Sequence, residues 1–185
     1  MGDLVGLPDW EVVVEVSARV PAQTVFEIQD FLNREALAVD ERRFRDWLEY
    51  FAEDLKYEVP LRVTREGLAE WEVSPTARIF DDDKRTLMLR VERLETDFAW
   101  AEQPPSRTRH YVTGVVVDPG EADGEFQVKS NCLIYRSRGD SPDPNFYSVA
   151  RTDTVRVTEG GFEIARRWAV LDQSVINAHN LSIFI

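Results

Sequence analysis

The stretch FYSVARTDTVRVTEGGFEIARRWAVL, residues 146–171, decides the fold. Two runs rich in β-branched and aromatic residues, Phe146–Thr158 and Phe162–Leu171, flank Glu159-Gly160-Gly161, a hairpin signal because two glycines accept the positive φ that tight turns need. Upstream, Thr108–Asp118 and Phe126–Arg138 read as two more strands, set off by Pro119-Gly120 and by the Gly139–Pro144 stretch. The first half reads differently. After Pro21, Val25, Ile28, Leu32, Ala36 and Val39 recur at three- and four-residue steps, which predicts a helix. Asp40 is placed to cap a second one, with Phe44, Trp47, Leu48 and Phe51 on its apolar face. Leu55 to Val63 reads as a strand that Pro60 makes an edge or a bulge, and residues 64–80 read as a loop. Asp81-Asp82-Asp83 precedes a third helical pattern, Leu87, Met88, Val91 and Leu94. Acids at a helix start suit capping and the helix dipole, whereas a calcium loop would need D-x-D-x-D-G spacing. Helices followed by a run of strands predict an α+β fold. We expect an arm over 1–20 and one domain over 21–185.

Composition excludes several function classes. The chain has 185 residues, with 22 Lys+Arg against 34 Asp+Glu and a net charge of −12, which opposes nucleic-acid binding. Cys132 is the one cysteine, and with His110 and His179 it makes too small a donor set for a structural zinc or a Rieske cluster. Uninterrupted apolar runs reach four residues, against ~20 for a membrane-spanning helix. The acidic N-terminus is unlike a signal peptide. A cytoplasmic protein is expected, bound neither to membrane nor to nucleic acid.

Charges interrupt two strand faces. Alternation puts Arg151 and Asp153 among Tyr147, Val149, Val155 and Val157, and Arg166 among Phe162, Ile164, Trp168 and Val170. An unpaired buried charge costs several kcal/mol, so these groups should be paired within the fold, paired across a subunit contact, or gathered at a pocket. Trp100-Ala101-Glu102-Gln103-Pro104-Pro105-Ser106-Arg107-Thr108-Arg109-His110 packs aromatic, carboxylate, guanidinium and imidazole groups around two prolines, a composition suited to a rigid protein contact. Acid–base chemistry would need His110 facing a carboxylate such as Asp54 or Asp153. No G-x-S-x-G and no glycine-rich phosphate loop occurs. The residues alone nominate no catalytic, cofactor-binding or metal-ligating set.

An ordered series of segments resembles the beta (small) subunit of the aromatic-ring-hydroxylating dioxygenases, the Rieske non-haem iron enzymes. It begins with Phe31-Leu32-Asn33-Arg34-Glu35-Ala36, Asp40, Arg43-Phe44 and Trp47, then Asp54, Tyr57, Val59-Pro60 and Arg62. Phe80-Asp81-Asp82-Asp83, Arg90-Val91, Leu94, Trp100-Ala101-Glu102 and Pro105 to His110 follow. Ser130-Asn131, Tyr135-Arg136, Arg151-Thr152-Asp153, Leu171-Asp172-Gln173 and Asn180 to Phe184 complete it. Val149-Ala150 and Thr152 around Arg151, and Ile185 after Phe184, depart from the family's habit.

The resemblance implies a cystatin-like or NTF2-like cone, with a curved antiparallel sheet around helices. It implies an alpha subunit carrying a Rieske 2Fe-2S cluster and a mononuclear Fe(II), usually in an α3β3 hexamer served by a reductase and often a ferredoxin. That complex would cis-dihydroxylate an aromatic ring with O2, this chain being its metal-free structural base. Trp100, Glu102, Arg107, Arg109, His110, Arg151, Asp153 and Arg166 then become candidates for subunit contacts. The competing expectation is a stand-alone cone-fold lyase or isomerase using His110, or a binder of small aromatics.

Overall fold

In a computed structural model that describes residues 20–63, 73–96, 104–176 and 183–185, helices α1 (Ala22–Asp40) and α2 (Phe44–Leu48) lead into strand β1 (Phe51–Arg62). Strand β2 (Val73–Asp82), helix α3 (Lys84–Leu94) and strands β3 (Arg107–Pro119), β4 (Glu125–Ser137), β5 (Asn145–Thr158) and β6 (Gly161–Leu171) follow. The proposed arm up to residue 19 and the segment holding Trp100 and Glu102 lie outside the described residues.

The six strands form one open sheet in the order β2-β1-β6-β5-β4-β3. Strands β3 to β6 are a meander, as their turn signals predict, and Gly161 takes the positive φ (136°) that its hairpin requires. The expectation of a purely antiparallel sheet needs correction at one pair, because β1 runs parallel to β6. The chain enters β1 from α2 at the end where β6 begins, and Ile164 N–H donates to the Tyr50 carbonyl there at 2.8 Å.

Local chemistry also revises several boundaries. Helix α1 runs through Asp40 and ends at Arg42, a non-glycine residue in the left-handed region (φ 58°), so Arg43 rather than Asp40 occupies the N-cap of α2. That second helix is one short turn, and Phe51 already belongs to β1. Residues 73–80 are strand, not loop. Strand β2 is polar, with only Phe80 and Asp82 buried and Pro75 inside it, so it lacks the apolar alternation that would mark it. Pro60 does mark a bulge: the β1–β2 register shifts on both sides of it, yet β1 is flanked by β2 and β6 and is no edge. The acidic triplet divides its work. Asp83 caps α3 by accepting from Thr86 N–H at 2.7 Å, while Asp82 pairs with Arg90.

Helix α1 lies against the sheet, most extensively against β3, and buries Ile28, Leu32, Ala36 and Val39, the stripe its periodicity predicts. Trp47, Phe51, Tyr57 and Phe184 add an aromatic centre, with Trp47 and Phe184 ring centroids 4.3 Å apart. Full burial of each such side chain removes enough apolar surface to contribute about 2–3 kcal/mol.

Candidate functional site

A four-strand row runs across the inner face of the sheet. Register aligns Val128 with Asp153, Asp153 with Arg167, and Arg167 with Tyr57. Asp153 and Arg167 have no exposed side-chain surface, and they meet through two bonds, Nε to Oδ1 at 2.9 Å and Nη2 to Oδ2 at 3.0 Å. One row over, Arg151 stands opposite Ser130, and its Nε donates to Ser130 Oγ at 3.3 Å.

Glu35 descends from α1 onto both rows. It sits on the buried stripe one turn beyond Leu32, and accepts from Trp47 Nε1 at 2.6 Å and Arg167 Nη1 at 3.0 Å. Its second oxygen lies 3.6 Å from Arg151 Nη1. Two acids and two guanidiniums thus form a charge-neutral buried cluster. Burial pushes the Glu35 carboxyl up, but Arg167 and Arg151 pull harder and hold it below the usual carboxylate range. Burial opposes the charge on Arg167 too, and Asp153 and Glu35 more than restore it. Burial lifts the Tyr57 phenol to about 12. Tyr57 hydroxyl donates to the Ile185 oxygen and accepts from Ile185 N–H at 2.8 Å, while Arg167 Nη1 reaches the same oxygen at 3.2 Å.

Arg166 does not belong to this inner face; Arg167 does. Between Thr154 and Val155 of β5 the partner on β6 jumps from Arg166 to Ile164, so Ala165 is an unmatched residue. Such a bulge reverses the parity of everything after it, a shift that uninterrupted alternation cannot foresee. Arg166 therefore faces outward and pairs with Glu58 at 3.1 Å. Arg167 and Glu35 are the residues that the sequence reading missed. The traceable signal for Glu35 was its place among Ile28, Leu32 and Val39 on one helical stripe.

His110 is buried beside Asp40, not Asp54 or Asp153. Its Nδ1 lies 2.6 Å from Asp40 Oδ1, its Nε2 3.1 Å from the Phe184 carbonyl, and its backbone N–H donates to Asp40 Oδ2 at 2.9 Å. Thr108 Oγ1 donates to the same carboxylate at 3.0 Å. Burial raises the Asp40 carboxyl, and the His110 bonds outweigh it, so Asp40 titrates below its ordinary value. With both ring nitrogens engaged by protein atoms, His110 offers none to a substrate proton. It joins the end of α1 to β3 and to Phe184.

The remaining candidates lie outside. Arg107 and Arg109 are exposed on β3, and Asp54 is held at the surface by Arg156 at 3.1 Å. On the outer face, register aligns Arg109 with Tyr135 and Tyr135 with Phe146, then Tyr111 with Leu133. Tyr111, Leu133 and Phe146 are 57%, 43% and 54% exposed, and Tyr135 and Phe146 rings meet at 5.5 Å. Among the described residues no group of three or more His, Cys, Asp and Glu is placed to hold a metal, so neither a mononuclear iron nor a Rieske cluster fits them. No described helix is long and apolar enough to cross a membrane.

Known proteins agree with this architecture. The family described as "Ring hydroxylating beta subunit" matches residues 34–178. The beta subunit of 3-phenylpropionate/cinnamic acid dioxygenase from Photorhabdus laumondii is 42% identical, covering 94% of this chain and 98% of its own. The beta subunit of benzene 1,2-dioxygenase from Pseudomonas putida is 36% identical over 94% of this chain and 95% of its own. A chain of naphthalene 1,2-dioxygenase, solved with indole in the active site, superposes with a TM-score of 0.79 at 21% identity, over 91% of this chain and 89% of that one. A solved protein with a cystatin-like fold from Nostoc punctiforme gives 0.54 at 17% identity, over 85% and 97%. The chain belongs to the beta-subunit family of ring-hydroxylating dioxygenases, on an α+β, cystatin-like fold with a mixed, unclosed sheet.

Proposed function

We propose that this chain is the structural, non-catalytic subunit of a terminal oxygenase, and that its outer sheet face docks an iron-bearing alpha subunit. The observation that carries this is the strip formed by Tyr111, Leu133, Tyr135 and Phe146 beside Arg107 and Arg109. Contiguous exposed aromatic and aliphatic groups next to arginine have the composition of an interface core, and here they lie on a chain of net charge −12. In this reading the alpha subunit holds the Rieske cluster and the mononuclear Fe(II), the assembly is α3β3 in the cytoplasm, and reductase and ferredoxin deliver electrons for cis-dihydroxylation of an aromatic ring. Relatives named for phenylpropionate or cinnamate and for benzene match this chain at similar identity, which supports assigning ring choice to the alpha subunit.

Trp100 and Glu102 remain candidates for the same contact. The buried Arg151, Asp153 and His110 act on it only indirectly, by fixing the sheet, and Arg166 lies on the outer face nearer β1. The test is co-expression with the cognate alpha subunit, read by light scattering and by activity. Replacing Phe146 and Arg109 by glutamate should weaken assembly by at least about tenfold, with the circular dichroism and melting of the purified chain unchanged. An unaltered assembly constant would remove this face from the contact.

A further inference from the structure

Residues 183–185 are held at two places, and the two holds differ in kind. Ile185 is taken by the Tyr57 hydroxyl and the Arg167 guanidinium. Burial lifts the Tyr57 phenol to about 12, and Asp153 and Glu35 hold the proton on Arg167, so neither donor titrates near neutrality. Phe184 is held instead through its carbonyl by one imidazole nitrogen, His110 Nε2, at 3.1 Å. Its ring closes the aromatic centre, 4.3 Å from Trp47 and 5.6 Å from Phe44 between centroids.

A carbonyl oxygen accepts and never donates, so this bond needs a proton on Nε2. The other ring nitrogen faces Asp40 at 2.6 Å, with the two side chains 3% and 7% exposed. Thr108 Oγ1 and the His110 backbone N–H already donate to that carboxylate, and it titrates below its ordinary value. Asp40 is therefore ionised and also only accepts, which calls for a second proton on Nδ1. A neutral imidazole carries one N–H, and this site asks for two. Among the described residues no other charge is spent on the ring. Ile134 stands opposite His110 on β4, and Cys132, next along that face, keeps its proton because burial raises the thiol. Helix α2 brings only Phe44 and Trp47 to Phe184. Arg42 is used by the Ser106 carbonyl, Arg107 and Arg109 are exposed, and Glu35 is taken by Arg167 and Arg151.

We propose that His110 is a proton-operated clamp: as the imidazolium it fastens Phe184 over the aromatic centre, and loss of one proton lets Phe184 go while Ile185 stays anchored. The proton that remains stays on Nδ1, because a bond to the ionised Asp40 is stronger than one to a neutral carbonyl. Nε2 then turns a lone pair toward the Phe184 oxygen, and the contact becomes repulsive. The clamp contributes while the ring keeps both protons and is lost as the pH rises through its titration. It uses none of the outer-face groups proposed for the alpha-subunit contact, so either assignment can fail without the other.

The experiment is a pH titration of the full-length chain carrying His179→Gln, which leaves a single imidazole, with 15N histidine and 13C isoleucine methyls. At the acid end of the folded range His110 should show an N–H at both ring nitrogens, where a neutral ring shows one. As the pH rises the Nε2 proton should be lost, and the Ile183 methyl should shift with the same midpoint while the Ile185 methyl holds still. Asp40→Asn keeps an acceptor for Nδ1 but removes the charge, so it should move both midpoints together to lower pH. Its methyl spectrum reports whether it folds, and the parent titration decides alone if it does not. A single ring N–H throughout, an Ile183 methyl indifferent to loss of the Nε2 proton, a ring that keeps both protons up to unfolding, or midpoints unmoved in a folded Asp40→Asn overturns the proposal.

Discussion

Glu35→Gln isolates the buried charge cluster, because glutamine keeps the shape and the oxygen facing Trp47 but removes the charge. Arg167 would retain its two bonds to Asp153. Arg151 would not be compensated: Glu35 is its one ion-pair partner among the described residues, and its Nη2 already lacks a hydrogen bond. Stranding a buried guanidinium costs about 3–5 kcal/mol. With a urea slope of roughly 2 kcal/mol per molar for a domain of this size, the unfolding midpoint should fall by about 2 M. Tryptophan fluorescence is a suitable readout, since Trp47 donates to Glu35 itself. Acid supplies a second check. Glu35 titrates lower in the folded chain than its ordinary 4.5, so its stabilisation is complete above that value and drains away as the pH falls through the lower, folded one. The gap between parent and variant should therefore close on acidification. Arg151→Met should destabilise the parent but be neutral or stabilising in Glu35→Gln, because it removes the stranded cation. A loss below about 1 kcal/mol at neutral pH, or Arg151→Met equally costly in both backgrounds, would refute the reasoning.

Two further outcomes follow from the same geometry. Deleting Ala165 removes the unmatched residue of β6 and leaves Ile164, Arg166 and Arg167 opposite Val155, Thr154 and Asp153 one to one, so Arg167 should still face inward and the variant should keep a cooperative unfolding transition; inserting one residue between Arg166 and Arg167, which turns Arg167 outward, should abolish it. Tyr57 should resist ionisation in a spectrophotometric titration until about pH 12, and its contribution, complete below about 10, should be lost between those values. Ionisation of all five tyrosines near 10 in the folded chain would contradict that burial.

Legibility in the sequence followed local periodicity. The stripe of α1, the Asp83 cap and the β3–β6 meander are short-range patterns, and each stands where its residues put it. What escaped depends on partners remote in sequence. Strand β2 has too little apolar character to announce itself and is a strand because β1 pairs with it. Arg151 and Asp153 were visible as charges on an apolar face, but their counter-charges come from a helix residue and from a strand whose parity a single bulge inverts. Asp40 looked like a cap because caps are local, while its ligand His110 lies 70 positions away. The family was legible for a different reason: a series of short segments in fixed order holds information that no single segment carries.

The parallel pairing of β1 with β6 also dictates an order of events in folding. Strands β3 to β6 join neighbours through short turns and can zip from hairpins alone. Strand β1 emerges early yet has no partner on that side until the last strand exists, and Glu35 waits for Arg167 across 132 positions. Closing so long a loop is slow compared with hairpin formation. The neutral cluster is thus a latch: until it shuts, the Arg167 edge of the meander is an open strand able to pair with another chain, and kinetic partitioning between closure and misassembly is decided at β6.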